Sequence, residues 1–188
     1  MGDFTFELEP FENGAQRGKR GTVGPFGDVM VFYVKPVRQQ SQAMPRTELI
    51  AERLPQTSVT GVGACGRPSL TRAVMEVGDV AVTLKYNSFG IRRASRALHI
   101  TYANRDYTYT YTKSMDIELR REGARVAIKR GRFVQGVGRY RTGSVNGAVD
   151  EVDLAIAIVF EAVDTDSLSL GTALASAPFR GGAEPVGE

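Results

Sequence analysis

The chain has 188 residues, 42% of them hydrophobic, with seven Tyr, nine Phe, no Trp and 21 Gly, which excludes disorder for most of its length and suits one turn-rich β unit with a full core. A single cysteine, Cys65, excludes an internal disulfide, and no charged-then-apolar leader opens the sequence, so a cytoplasmic location, with peripheral membrane contact as an option, is the expectation. The net charge of +3 hides a strong polarity: residues 1–91 carry 10 basic and 9 acidic side chains, residues 92–141 carry 13 and 4, and residues 142–188 carry 1 and 8.

Taken in order, residues 4–9, FTFELE, alternate apolar and polar as a short opening strand. Gly14, Gly18, Gly21, Gly24 and Gly27 then punctuate a basic stretch with Pro25, and predict a Gly-rich loop over 12–28. The run 29–34, VMVFYV, suits a strand buried on both faces, ended by Lys35-Pro36. A Gln/Pro-rich excursion over 38–57 follows, and residues 47–54, behind Pro45, predict two turns of helix within it.

From residue 59 to 128 the period is two. Ala73, Met75 and Val77 alternate before Gly78-Asp79, and Val80, Val82, Leu84 and Tyr86 alternate after it, which predicts a hairpin. Asn87-Ser88 and Gly90 mark the next turn, and Leu98, Ile100 and Tyr102 face away from His99 and Thr101. Residues 107–112, YTYTYT, are the cleanest strand, and Glu122-Gly123 joins Ile117 and Leu119 to Val126 and Ile128. A further short strand is expected over 133–140. About eight to ten strands at this spacing predict a barrel or a sandwich.

Residues 150–163, DEVDLAIAIVFEAV, have no polar face from Leu154 to Phe160 and must be buried all round. Asp150, Glu151 and Asp153 stop the run far short of the roughly 20 apolar residues that span a bilayer. A core helix and a central strand both remain; Asp150 as N-cap, acids in the first turn and three alanines favour the helix. Beyond it come residues 168–175 and a Gly/Pro-rich stretch over 178–188 that is expected to fray.

Few residues point to chemistry. Gly61, Gly63 and Gly66 spell GxGxxG, but the residues before them are polar, Pro68 follows, and the next segment alternates as a strand, so a glycine-rich turn is the reading and a dinucleotide site is not. Cys65 and His99 form an arithmetically possible nucleophile pair without a supporting local signature, and no ligand spacing suggests zinc. Phe6 stands where a myristoylation motif requires Ser or Thr. Neither a cofactor nor a metal is therefore expected, and the inventory argues against an enzyme. The stripe Tyr102, Tyr107, Tyr109 and Tyr111 is expected to pack on the core, the alternative being a stacking platform for single-stranded nucleic acid. Arg120, Arg121, Arg125, Lys129, Arg130, Arg132, Arg139 and Arg141 lie on adjacent predicted strands. If those strands pair, the cations converge on a patch suited to an anionic lipid headgroup or an acidic protein surface, ahead of nucleic acid.

The strand-rich pattern of residues 72–141, including 115–123, MDIELRREG, with its return at 126–128, VAI, followed by the apolar run 149–160, VDEVDLAIAIVF, resembles the tubby-like group. That group includes the tubby C-terminal domain, the phospholipid scramblases and the LURP-one-related proteins. The resemblance implies a closed barrel of about twelve strands threaded by a hydrophobic helix; it carries over no site residue, and a cysteine-rich palmitoylated segment is missing.

The expected fold is thus mainly β: a closed antiparallel β-barrel of meander type around a hydrophobic C-terminal helix, with a β-sandwich carrying a packed helix as the alternative. Residues 1–177 form one domain and 178–188 a flexible tail. The expected role is that of a binding or adaptor domain for an anionic partner; a structural or assembly protein, such as a homo-oligomer subunit, is the alternative.

Overall fold

The computed structural model describes residues 2–34, 44–63, 66–86, 96–112 and 116–168. Twelve strands follow one another: β1 (Phe4–Asn13), β2 (Gln16–Thr22), β3 (Asp28–Val34), β4 (Arg46–Ala51), β5 (Thr57–Thr60), β6 (Val74–Val77), β7 (Val80–Lys85), β8 (Leu98–Tyr102), β9 (Arg105–Tyr111), β10 (Ile117–Arg121), β11 (Ala124–Val134) and β12 (Gly138–Gly147). Each pairs antiparallel with its sequence neighbour, and β1 closes the ring by pairing with both β12 and β2. The closed barrel of meander order is as expected, and closure leaves no edge strand to be covered.

The segment after β12 is α1 (Glu151–Val159), continued by a 3-10 turn at Phe160–Ala162. It packs against β10 and β11 on one side and β4, β5 and β6 on the other. In a ring of twelve, β11 and β5 stand six places apart, which is diametrically opposite. A helix that touches both must lie inside. Leu154, Ile156, Ile158 and Val159 are accordingly at 0% exposure. This is how a helix with no polar face avoids water: every side of it meets an inward-facing strand residue, such as Val59, Met75, Val126 or Ile128. Among the described residues, no helix is long and apolar enough to cross a membrane.

The tyrosine stripe obeys the same logic. Tyr107 and Tyr109 of β9 are buried, the Tyr109 ring sits 4.8 Å from that of Phe160, and Thr108 and Thr110 face outward. Neither buried ring is available for base stacking.

Four local expectations are corrected. The stretch 12–28 is not a loop: it contains β2 and a 3-10 turn at Gly24–Phe26. Its glycines serve close packing within the sheet, since a Cβ at Gly18 would stand 1.9 Å from the Val31 carbonyl oxygen and one at Gly21 2.2 Å from that of Glu7. The helix expected over residues 47–54 is instead β4, followed by bends at 52–54, with Thr47 and Leu49 inward and Glu48 and Ile50 outward. Ladders with β3 and β5 override its weak helical preference. These segments are why eight to ten strands were expected and twelve are found. Finally, no separate strand runs over 133–140: a turn at Gly136 (φ 78°) divides it between the long strands β11 and β12.

Inside the ring, Phe6 stands directly opposite Gly143, and its ring covers the place where a Cβ would be, 2.0 Å from Cζ. Gly143→Ala is expected to destabilise by roughly 1–3 kcal/mol, the usual cost of overpacking. Combining it with Phe6→Leu should recover part of that loss, as read by urea denaturation. Ile158→Asp should leave no soluble, cooperatively melting protein, because the carboxylate would be unpaired at the barrel axis; a melt near that of the wild type would overturn the central position of the helix.

Candidate anion-binding surface

Meander order sends alternate turns to opposite ends of the barrel. One end carries the β10–β11 turn and the start of α1, and the other carries the β11–β12 turn and the end of the helix. The basic residues singled out from the sequence are divided between these two ends.

At the first end, the capping pattern read in the sequence is realised. The Asp150 carboxylate accepts from the Val152 and Asp153 N–H groups, and Asp153 accepts in return from the Asp150 N–H at 3.0 Å. Asp153 is itself buried, so its charge needs a partner. Arg121 supplies a two-pronged one, donating from Nε to Oδ1 and from Nη2 to Oδ2, both at 2.8 Å, with a further bond to the Ala148 carbonyl. Arg105 pairs with Asp150. Burial opposes ionisation of Asp150, but the Asp153 N–H and the Arg105 guanidinium outweigh it and hold the carboxyl below its ordinary value.

Arg120 and Arg125 face each other across β10 and β11 and both bind Glu118, Arg125 from Nη2 at 2.6 Å. Glu118 is a buried residue whose burial would raise its pKa; the two guanidinium groups overcome that and lower it. At this end Arg120, Arg121 and Arg125 therefore all neutralise buried carboxylates of the fold.

The other end is different. The β11–β10 ladder runs out at Ile117 opposite Ile128, and the β12–β1 ladder at Leu8 opposite Arg141. Beyond these pairs, and after an irregularity between Arg130 and Phe133, β11 and β12 pair only with each other among the described residues. A two-stranded arm results, held at its base by the Arg130 N–H on Asp116 and nearer the turn by Lys19 Nζ on the Arg139 carbonyl at 2.9 Å and by Gly138 against Pro10. Two of its cations stack on rings: the Arg132 guanidinium lies 4.4 Å from the Tyr140 ring centroid and that of Arg139 5.7 Å from Phe133, and Arg132 also stands 3.7 Å from the exposed Glu7 carboxylate. Lys129, Arg130, Arg132 and Arg139 are all exposed. Arg125 and Arg132, seven positions apart on one strand, are separated by roughly 23 Å at ~3.3 Å per residue. The eight residues thus form two groups and not a single patch.

Below the arm, Arg141 reaches inward to Glu161 at 2.7 Å, near the end of the helix. Arg67 donates to the Ala162 and Val163 carbonyls and so complements the negative end of the helix dipole. Lys19 lies in the field of this group. Burial lowers its pKa, Glu161 raises it, and Arg141, Arg67 and Arg17 lower it further. A lysine whose neighbours include three guanidinium groups and one carboxylate sits in a field that favours an anion. Sequence reasoning missed Arg17, Lys19 and Arg67, because they come from β2 and from the β5–β6 connection and only ring closure brings them to β12.

Other candidates hold less. The Gly61–Gly66 pattern lies in the β5–β6 connection, where Gly63 allows backbone contact with Arg67 and no helix opens in the described residues that follow, so it lacks the geometry of a phosphate loop. Cys65 falls outside the described residues; His99 is exposed on β8. No three His, Cys, Asp or Glu side chains gather as a metal site among the described residues. A groove of about 600 Å³ on the outer face of β2, β3 and β4 is lined by Glu9, Arg20, Asp28, Met30, Ile50 and Glu52, a mixed set with no surplus of positive charge. No family model, curated protein or solved structure matches the chain.

Both Asp150 and Glu118 have folded pKa values below their ordinary 3.8 and 4.5, so the unfolded chain binds more protons in acid. Their stabilisation is present above those values and is lost as pH falls through the lowered folded ones. Urea midpoints should therefore drop as pH falls below about 4.5, and Glu118→Gln should flatten that slope. Arg121→Ala should cost ~3–5 kcal/mol by leaving the Asp153 carboxylate buried and unpaired, as measured by equilibrium unfolding.

Proposed function

We propose that this protein is a non-enzymatic binding module that recognises an anionic partner, a lipid headgroup or an acidic surface, at the β11–β12 end of the barrel. One observation carries the reading. Residues 124–149 contain six basic side chains and no carboxylate, and the protruding part of that hairpin exposes Arg130, Arg132 and Arg139 beside the inward cations Lys19 and Arg141. Near an anionic surface each such charge is worth about 1 kcal/mol and acts over roughly a Debye length. Kinship with the tubby-like group belongs to the same proposal. What supports it is a ring of twelve strands closed around an apolar helix that follows them in the chain.

The alternative, an assembly subunit, draws on a separate observation: Ile50 and Val74 are 46% and 59% exposed on the outer sheet face. Sedimentation equilibrium separates the two, since a chain that stays monomeric at high concentration discards the assembly reading.

The test of the main proposal is titration of the full chain with phosphatidylserine-containing vesicles and with soluble polyglutamate, at low and at several-fold higher salt. Binding to at least one, weakening with salt, is expected. Arg132→Ala with Arg139→Ala should weaken it about tenfold or more, at ~1 kcal/mol per charge. Absence of binding to both at low salt would end this reading.

A further inference from the structure

The β11–β12 arm carries apolar side chains where it is farthest from the barrel. Phe133 is 63% exposed and Val137 52%, among the most exposed large hydrophobic residues described. Single exposed hydrophobics are ordinary on a soluble surface. These two are not scattered: they flank one turn, closed by the Val137 N–H on the Val134 carbonyl, at the tip of a hairpin to which no neighbouring described strand is paired at this level. Arg139 is paired with Phe133 across the arm, and Arg132 precedes it in the chain. Stacking on Phe133 and Tyr140 holds both guanidinium groups close behind the tip.

We propose that this tip enters the interface of an anionic bilayer, with Phe133 and Val137 against the upper part of the acyl chains and the Arg132 and Arg139 side chains extended back to the phosphates. The inference rests on the binding reading above and names the partner as a lipid surface. Charge complementarity favours it: the arm offers positive charge with no carboxylate between residues 124 and 149. Val137 stands at the turn and Phe133 level with Arg139 behind it, so the apolar groups can meet acyl chains while the long arginine side chains extend back to the phosphates. An acidic protein surface would answer the arginines and leave the exposed ring and isopropyl group without a counterpart.

The absence of any Trp in the chain makes a clean probe available. In Phe133→Trp, tryptophan fluorescence reports one position only. Phosphatidylcholine vesicles with phosphatidylserine should shift its emission to the blue and allow quenching by bromine-labelled acyl chains; phosphatidylcholine alone should do neither. In parallel, Phe133→Ser with Val137→Ser should weaken vesicle binding by about tenfold or more, the loss expected when two apolar side chains stay in water, and should retain the wild-type melting temperature because both positions are exposed. The deficit should persist at high salt, whereas that of Arg132→Ala with Arg139→Ala should shrink. If the wild type binds vesicles, the emission stays unshifted and the serine variant binds as the wild type does, insertion is wrong while the electrostatic reading survives. If polyglutamate binds and vesicles do not, the partner is an acidic polymer and the lipid inference is overturned. If neither binds, both readings fall together.

Discussion

The structure depends on a helix that has no polar side. From Leu154 to Phe160 every residue is buried, and a helix of this kind can be stable in water only if apolar groups surround it completely. A flat sheet would cover one side, and two packed sheets would leave it gaps at the edges. Twelve strands closed in a ring provide inward side chains in all directions, and the helix in turn fills an interior that so wide a barrel could not fill with strand side chains alone. Burying its large apolar side chains contributes about 1.5–3 kcal/mol each in gross terms. Each element is therefore the condition for the other.

Such a plug must also be fixed at its two ends, where backbone groups lack helical partners. The capping box of Asp150 and Asp153 satisfies the first N–H groups, and the buried Asp153 charge is returned to the wall by Arg121. Arg67 and Thr47 serve the last carbonyls, and Arg141 ties Glu161 to β12. Acids at the start of the helix and guanidinium groups at its end both agree with the macrodipole. These contacts join the helix to β4, β10, β12 and the β5–β6 connection, so they set its height in the barrel as well as its stability.

This arrangement sorts the arginines. Those on β10 and the adjoining half of β11 answer buried carboxylates, and their charge is spent within the fold. Those on the projecting half of the β11–β12 hairpin remain in contact with solvent, Arg132 and Arg139 stacked on aromatic rings. A count of basic residues along the sequence treats both groups alike. What separates them is whether the facing carboxylate is buried, as Glu118 and Asp153 are, or exposed, as Glu7 is beside Arg132.

Much of the fold was legible locally. The seven-residue apolar run required complete burial, its flanking acids announced the cap, and period-two alternation placed β6 to β10 within a residue or two, because in those strands one face meets the core and the other meets water. The signal failed in β2, whose glycines serve close strand packing and whose inward side includes Lys19, and in β4, where ladder partners outweigh a local preference. The candidate surface was legible only as a basic block. Which of its charges stay exposed, and that Lys19, Arg67 and Arg141 share one end of the barrel, depends on ring closure and strand register, since hydrogen bonds act through space between residues as far apart as 120 positions. The sequence by itself determined that residues 154–160 must be buried on every side; the tertiary structure decided that they form a helix inside a closed ring and where positive charge stays exposed, because that is set by which side chains meet once the ring has closed.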